Sequence, residues 1–489
     1  MAADLAGAAS RRKGRAGLFR RGRRRLCVGL RDVADAQYLH DRDVGMGLPD
    51  SHAGVCVGPG REWLMAEDSI RGRVARNAGA LYVVQLVSFL VPIFEIPILA
   101  RALGPVAYGQ ILFCQALALT ASLLVEYGFN INAAQQAALA RGRLPGLNRL
   151  FSQVLLAKIL LAAPLAGLML AAWSLGLLDA YLSGPALLGF VLAYFLAFGF
   201  SPMWYFQGRE RMSGPAMLDV VLRLCGLGVL AVLVRTPDDF LLALPVLAIP
   251  PLLNTCLTLG WCRFEVGSVA WDFKGARRQI REGFHFFVYR SASNLAMSAI
   301  PVFLGLSSGK RAVGEFAPPE KLIKGMTSLA MPFLSAAFPV FSQRLEAGGE
   351  AVSFRAPLAV LAVVAVLVSV GTGLAIVIGP WVLDAMLGSS FGGALSIYYV
   401  LTGLAPLRIL NQSIAMMLLI PAGRAKPTSY VISAFSILGV LCGTGLSVLY
   451  GGLGMAAGLV GVETALLAVM VGMSAVLVRR SAACGGGDR

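Results

Sequence analysis

Runs such as LLGFVLAYFLAFGF and LAVLAVVAVLVSVGTGLAIVIG carry no charge over lengths close to the ~20 residues that cross a bilayer as helix. They recur from Asn77 onward and are apolar on every side. That pattern suits buried or lipid-facing helices and not the alternating strands of a β-barrel. The periodicity predicts about twelve helices at this length. Their approximate spans are 78–102, 107–138, 147–173, 178–206, 213–234, 239–261, 283–306, 318–343, 356–386, 392–420, 428–449 and 453–478. The expected fold is therefore all-α and polytopic.

Polar positions inside these runs fall on faces. With ideal helical rotation, Lys321, Lys324, Ser328, Ser335 and Ser342 share an arc of roughly 60°. Arg290, Ser291, Asn294 and Ser298 share roughly 100° of the preceding helix. Asn77, Gln85, Ser88 and Glu95 form a stripe on the first helix, and Gln115, Ser122, Glu126 and Asn130 form one on the second. Such stripes cannot face lipid without stranding polar groups in hydrocarbon. They serve either as hydrogen-bonding glue between helices or as the walls of a polar cavity. Their symmetric placement, on the first two helices of each half, favours the cavity.

The segment GEFAPPEKLIKGM (314–326) concentrates three charges at the head of an apolar run. Pro318 and Pro319 can open a helix, with Glu320 in its first turn complementing the helix dipole. Lys321 and Lys324 could snorkel to the interface. Both, however, lie on the serine seam, and Arg290 lies deeper with Asn294 one turn away. A cation at the bilayer centre costs ~2.5–3.5 kcal/mol on insertion scales, so these groups read as recognition elements for phosphate or carboxylate. We take Arg290, Lys321, Lys324 and Asn294 as candidate substrate-binding residues. Glu95 and Glu126, on the seam of the other half, could neutralise these cations, bind Na⁺ or exchange protons. Asp219 and Arg223, four apart, read as a local ion pair.

Composition agrees with this picture. The chain is 57% hydrophobic and only 14% charged, with mean hydropathy +0.73. Its charges obey a side rule. Arg71, Arg73, Arg76, Arg141, Arg143, Arg149, Arg209, Arg211, Arg263, Lys274, Arg277, Arg278, Arg281, Arg344, Arg355, Arg424, Lys426, Arg479 and Arg480 fall in alternate loops. The intervening loops hold only Arg101, Arg235, Lys310 and Arg311. The positive-inside rule then places both termini in the cytoplasm. The charged stretch RFEVGSVAWDFKGARRQIREG (263–283) falls near the middle and divides the helices into two halves, a transporter architecture.

The expected organisation is a basic N-terminal extension (1–64), a first six-helix bundle (65–265), a cytoplasmic linker (266–282), a second six-helix bundle (283–480) and a cytoplasmic tail (481–489) around a central cavity. The extension, with its RRKGRAGLFRRGRRRL run, lacks the apolar core of a secretory signal. It reads as disordered, with Met65 opening the folded region.

Several chemistries find no support. The 8 cysteines form no C-x-x-C pair and only 3 histidines exist, so neither a metal nor a catalytic thiol site is expected. No phosphate-cradling G-x-x-x-x-G-K-[ST] motif occurs. No cofactor, catalytic residue or nucleic-acid partner is expected. The loops opposite the arginine-rich side are short, which speaks against a membrane glycosyltransferase or ligase.

The segments RALGPVAYGQILF (101–113), VEYGFNINAAQ (125–135), EGFHFFVYRSASNL (282–295) and VGEFAPPEKLIKG (313–325) occur in order. Through them, roughly 77–478 resembles the polysaccharide-transporter family, lipid-linked oligosaccharide and O-antigen flippases of the multidrug/oligosaccharidyl-lipid/polysaccharide superfamily. Pro318-Pro319 stands where that family often has serine or alanine. The resemblance implies a bacterial inner-membrane protein moving an undecaprenyl-pyrophosphate-linked oligosaccharide repeat by ion-coupled alternating access. The product would be O-antigen, capsule or exopolysaccharide, and the coupling ion H⁺ or Na⁺ with Glu126 as candidate. It also implies membrane lipids as surroundings and extends the partner list to polysaccharide polymerase and chain-length proteins. In that reading Arg290 and Lys321 hold pyrophosphate or acidic sugar. A cation-coupled multidrug exporter of the same superfamily is the alternative, though its cavity should be acidic or apolar where this one reads basic.

Overall fold

The computed structural model describes residues 62–140, 144–267, 270–287, 292–347, 355–388 and 390–485. Arg290, most of the expected extension 1–64 and the end of the tail 481–489 lie outside the described residues. The chain divides into two compact units, Met1–Glu67 and Asp68–Arg489. All sites discussed below belong to the second.

Among the described residues the chain is helical without strands. The helices are α1 (Glu62–Glu126), α2 (Phe129–Leu139), α3 (Leu144–Ser174), α4 (Pro185–Gly199), α5 (Met203–Gly208), α6 (Ser213–Leu233) and α7 (Phe240–Val266). There follow α8 (Phe273–Phe286), α9 (Ala292–Ser298), α10 (Ile300–Ala347), α11 (Arg355–Leu387), α12 (Ala394–Thr402) and α13 (Leu404–Ile414). A π-helical segment, Ala415–Arg424, then leads into α14 (Ala425–Gly485). Seven stretches of the described residues are long and apolar enough to cross a bilayer, and Leu90–Leu139 and Ala394–Leu477 can each hold more than one crossing. The chain is a multi-pass membrane protein.

The longest helices are not straight rods. Gly104 (φ 72°) interrupts α1, Gly309 (φ 87°) interrupts α10 and Gly451 (φ 59°) interrupts α14. Only glycine enters this left-handed region without strain. The breaks at Gly104 and Gly451 fall between the spans expected at 78–102 and 107–138 and at 428–449 and 453–478. The break at Gly309 corrects one expectation: the rod after it runs on through Pro318 and Pro319. Glu320 therefore lies inside a helix and not in its first turn. The positive-φ glycine, and not the prolines, sets where this rod begins.

The two breaks at Gly104 and Gly309 belong to a repeat, GPVAYG (104–109) and GKRAVG (309–314). In each copy a helix-breaking glycine precedes a second glycine at which the backbones of α1 and α10 touch. A methyl group on Gly109 would strike the Lys310 carbonyl oxygen, and one on Gly314 would strike the Pro105 carbonyl oxygen. The contact is reciprocal, as a two-fold relation between the halves requires. Lipid tails give helices no hydrophobic reason to associate, so closely packed small residues supply the attraction.

Around this crossing the halves share one core. Ile96, Tyr108, Phe113 and Val191 of the first half pack with Ile300, Leu304, Phe316, Leu401 and Met455 of the second. Phe113 stacks on Tyr181 with ring centroids 3.7 Å apart. The Tyr181 hydroxyl donates to the Gly305 carbonyl, and Lys310 Nζ donates to Gln110 Oε1 at 3.0 Å. This is the cation-poor end of the molecule. Toward the arginine-rich end the cores separate. One, around Phe129, Phe151, Trp204 and Tyr205, belongs to the first half and the linker helix. Another, around Ile414, Leu418, Met470 and Leu477, belongs to the second.

The charged linker forms α8. Asp272 caps it by accepting from the Gly275 amide at 2.8 Å, and Gln153 Nε2 donates to the same carboxylate at 2.8 Å. Ala276 and Gln279 are buried against the first half while Arg277, Arg278 and Arg281 point outward. The Gly275 amide above all, then Gln153 and Arg149, hold the Asp272 carboxyl below the usual carboxylate range.

Two outcomes test this description. Gly109→Ala and Gly314→Ala should each lower stability by about 1–3 kcal/mol through forced separation of the backbones. Gly189→Ala, at a glycine with open space around it, should leave the melting temperature unchanged; equal effects at all three would contradict the crossing. A depressed folded pKa means the Asp272 cap acts fully above the unfolded value of ~3.9 and is lost as pH falls through the lower folded value. Hydrogen exchange in 273–281 should therefore rise below about pH 4, and Asp272→Ala should show the same rise already at neutral pH. Exchange in the variant that matches wild type at neutral pH would remove the cap.

Candidate functional site

Among the described residues, two polar regions inside the apolar body concern the candidate site. The first centres on the turn of α10 that carries Glu320, Lys321 and Lys324. Glu320 is buried, its side chain only 4% exposed, and Lys324 Nζ sits 2.9 Å from Glu320 Oε1. The Lys324 side chain is 42% exposed, so the acid is hidden behind the ammonium and the cation is what an approaching group meets. Lys321 is half-buried, and the charges in its field are Glu95 of α1, Lys324 and Glu320. Glu95, of the other half, is thus near enough for its charge to act on Lys321. The two carboxylates and two ammoniums balance formally, which relieves the cost of placing them in apolar surroundings.

Behind Glu95, within the first half, lies a small cavity that also meets Tyr194, Asp219 and Arg223. Arg223 Nε donates to Asp219 Oδ2 at 2.7 Å, the local pair expected from the spacing, and Asn254 donates to Asp219 Oδ1 at 3.3 Å. Glu126 belongs to a different group. It is a charge in the field of Lys158, a fully buried lysine of α3 whose Nζ donates to the Ser201 carbonyl at 2.9 Å. That bond ties α3 to the irregular turn between α4 and α5, where the helical ladder leaves carbonyls unpaired.

The second polar region is a cavity of about 300 Å³ inside the second half. Asn294 of α9, exposed to it, shares the lining with Thr327 and Ser328 of α10, Arg408, Asn411 and Gln412 of α13, and Glu463 of α14. Arg408 Nε donates to Glu463 Oε1 at 3.2 Å, and Asn411 Nδ2 donates to Glu463 Oε2 at 2.9 Å. Thr327 and Ser328 both donate to the Lys324 carbonyl, at 2.8 and 2.9 Å. This cavity therefore begins one helical turn from the lysine cluster.

The structure thus brings Lys321, Lys324 and Glu95 together, places Asn294 in the neighbouring cavity and sets Glu126 in a separate group with Lys158. Arg290 lies outside the described residues. Helix-face reasoning missed Arg408 and Glu463, because neither belongs to a stripe. A usable signal was present: Glu463 is the sole charge between Lys426 and Arg479, and Arg408 the sole charge between Asp384 and Arg424. Two isolated opposite charges in membrane helices are expected to find each other.

Comparison with known proteins places this geometry in a family. A family model described as polysaccharide biosynthesis protein matches residues 74–345, more than half of the chain. A protein of Escherichia coli strain K12 named as an O-antigen transporter is 29% identical over 276 residues, covering 55% of this chain and 65% of its own length. The chain thus matches just under two thirds of that relative. A protein of Shigella dysenteriae with the same name is 24% identical over 387 residues, covering 78% of this chain and 94% of that one. Among solved structures, the lipid II flippase MurJ in an inward closed conformation superposes with a TM-score of 0.61 at 11% identity. That superposition covers 81% of this chain and 86% of MurJ and establishes the shared fold.

Proposed function

The chain belongs to the polysaccharide biosynthesis protein family, and on that premise we propose that it flips an undecaprenyl-pyrophosphate-linked oligosaccharide repeat across the bacterial inner membrane for surface-polysaccharide assembly. Relatives named as O-antigen transporters support transport in place of chemistry. The observation that carries the reading is the α10 turn: an ammonium presented outward at Lys324, backed by buried Glu320, with Lys321 beside it. Two lysines on one turn match the two phosphates of a lipid pyrophosphate, and charge-assisted bonds of this type are strong where water is scarce. Lys321 would take its share of the anion by exchanging Glu95 for phosphate.

The way the halves are joined supports alternating access. A shared core at the cation-poor end and separate cores at the arginine-rich end suit a cavity that loads from the arginine-rich side. By the positive-inside rule that side is the cytoplasm, with both termini there. Glu95, whose charge acts on Lys321, and Glu126, near Lys158, are the carboxylates through which H⁺ or Na⁺ would couple. Polymerase and chain-length proteins would receive the product on the far side.

Lys321→Ala and Lys324→Ala test the assignment. In cells that depend on this chain for surface polysaccharide, the double variant should lose export by about 10–100-fold, the value of one or two charge-assisted bonds. Membrane abundance should stay normal. Export at the wild-type rate from a normally abundant double variant would remove the lysines from the substrate path.

A further inference from the structure

The cavity in the second half differs in chemistry from the lysine cluster beside it. Its one charged pair among the described residues is self-neutralising: Arg408 donates to Glu463 and directs a second nitrogen to the Met297 sulfur at 3.0 Å. Glu463 accepts from Arg408 at one oxygen and from Asn411 at the other. The described lining is therefore formally neutral, and beside this pair it offers amides and hydroxyls.

Asn411 gives this space a direction. Its Nδ2 donates both to the Glu463 carboxylate and to the Glu463 carbonyl, at 2.9 and 3.2 Å, which fixes the orientation of the amide. Its Oδ1 is left buried without a partner on a side chain 4% exposed. A buried acceptor without a donor is costly, but this oxygen is closed off from the cavity surface, so a guest meets the other polar groups of the lining. Asn294 and Gln412 form no hydrogen bond with other described residues. The Thr327 and Ser328 oxygens, having donated their protons to the Lys324 carbonyl, keep acceptor capacity. Ile409 and Leu466 supply an apolar wall.

We propose that this cavity is a binding site for an uncharged sugar ring, the residue of the glycan nearest the pyrophosphate. The proposal rests on the flippase reading for the identity of the sugar's carrier. Gln412 and Asn294, each both donor and acceptor, suit sugar hydroxyls, and the Ile409–Leu466 wall suits the C–H face of the ring. The volume lies at the lower end of ordinary small-molecule sites, ~300–1,000 Å³, enough for one or two rings. Its position follows from chemistry too, since the first sugar of a glycosyl pyrophosphate is bonded directly to phosphate and the cavity starts one turn from Lys324. A bare cation fits poorly, because Arg408 already neutralises Glu463, the one carboxylate among the described lining residues.

The test uses the purified full chain in detergent, with free N-acetylglucosamine, glucose and galactose as sugar probes and inorganic pyrophosphate as a separate probe. Saturation-transfer NMR should detect at least one sugar, and its signal should fall roughly tenfold in the Asn294→Ala/Gln412→Ala double variant, which removes several hydrogen bonds. Neither residue holds a hydrogen bond to another described residue, so the variant should elute as wild type. The same sugar signal should survive in Lys321→Ala, whereas pyrophosphate binding should be lost in Lys321→Ala and kept in the cavity variant. A sugar signal unchanged in the cavity variant, or no signal from any of the three sugars, overturns the site. If instead pyrophosphate ignores Lys321 while the sugar result holds, the flippase reading fails and the sugar site stands.

Discussion

Everything in this chain hangs on one backbone contact, the crossing of α1 and α10 at Gly109 and Gly314. Because each glycine lies against a carbonyl of the opposite helix, the two halves touch without intervening side chains. The breaking glycines five residues earlier interrupt α1 and α10, so that the two crossing rods begin at the same level. Phe113, Tyr181 and Gln110 then close over the contact and make one core from two halves. At the other end the described buried cores are separate, and Tyr127 stacking on Phe287, with ring centroids 5.0 Å apart, is a side-chain contact between the halves there.

Inside the halves the governing rule is that a charge in hydrocarbon needs a partner. Glu320 finds Lys324, Arg408 finds Glu463, Asp219 finds Arg223. Lys158 lies with its Nζ on a backbone carbonyl and Glu126 in its field. Such pairs are weak evidence for stability, because desolvation offsets much of their attraction. Their arrangement is more telling. The Lys324 side chain is partly exposed while Glu320 is buried, so the pair presents its cationic partner, whereas Arg408 and Glu463 neutralise each other. Two adjacent sites of different polarity are what a molecule that is anionic at one point and polyhydroxylated beyond it would need.

Much of this was legible in the sequence. Span-length apolar runs and the alternation of Arg and Lys between loops establish helices, and the breaks at Gly104 and Gly451 fall where spans were expected to end. Lys321 and Lys324 could be singled out because a helical stripe is local, depending only on rotation per residue. Arg408 with Glu463 could not, since the partners lie on helices far apart in sequence and neither is part of a stripe. The GPVAYG and GKRAVG copies were present to be read, but a glycine's role in close approach depends on what crosses it. Pro318-Pro319 misled for a related reason: proline is tolerated near a helix start, yet here the start is fixed upstream at Gly309.

The central claim is that the cargo is a glycan on a polyprenyl pyrophosphate, and the lipids of cells lacking the gene test it most directly. Mass spectrometry of a lipid extract should find polyprenyl pyrophosphate carrying a complete oligosaccharide repeat, accumulated well above the level in cells with the gene. Unchanged levels of that lipid, in cells that make a surface polysaccharide and have no second transporter for it, would contradict the account.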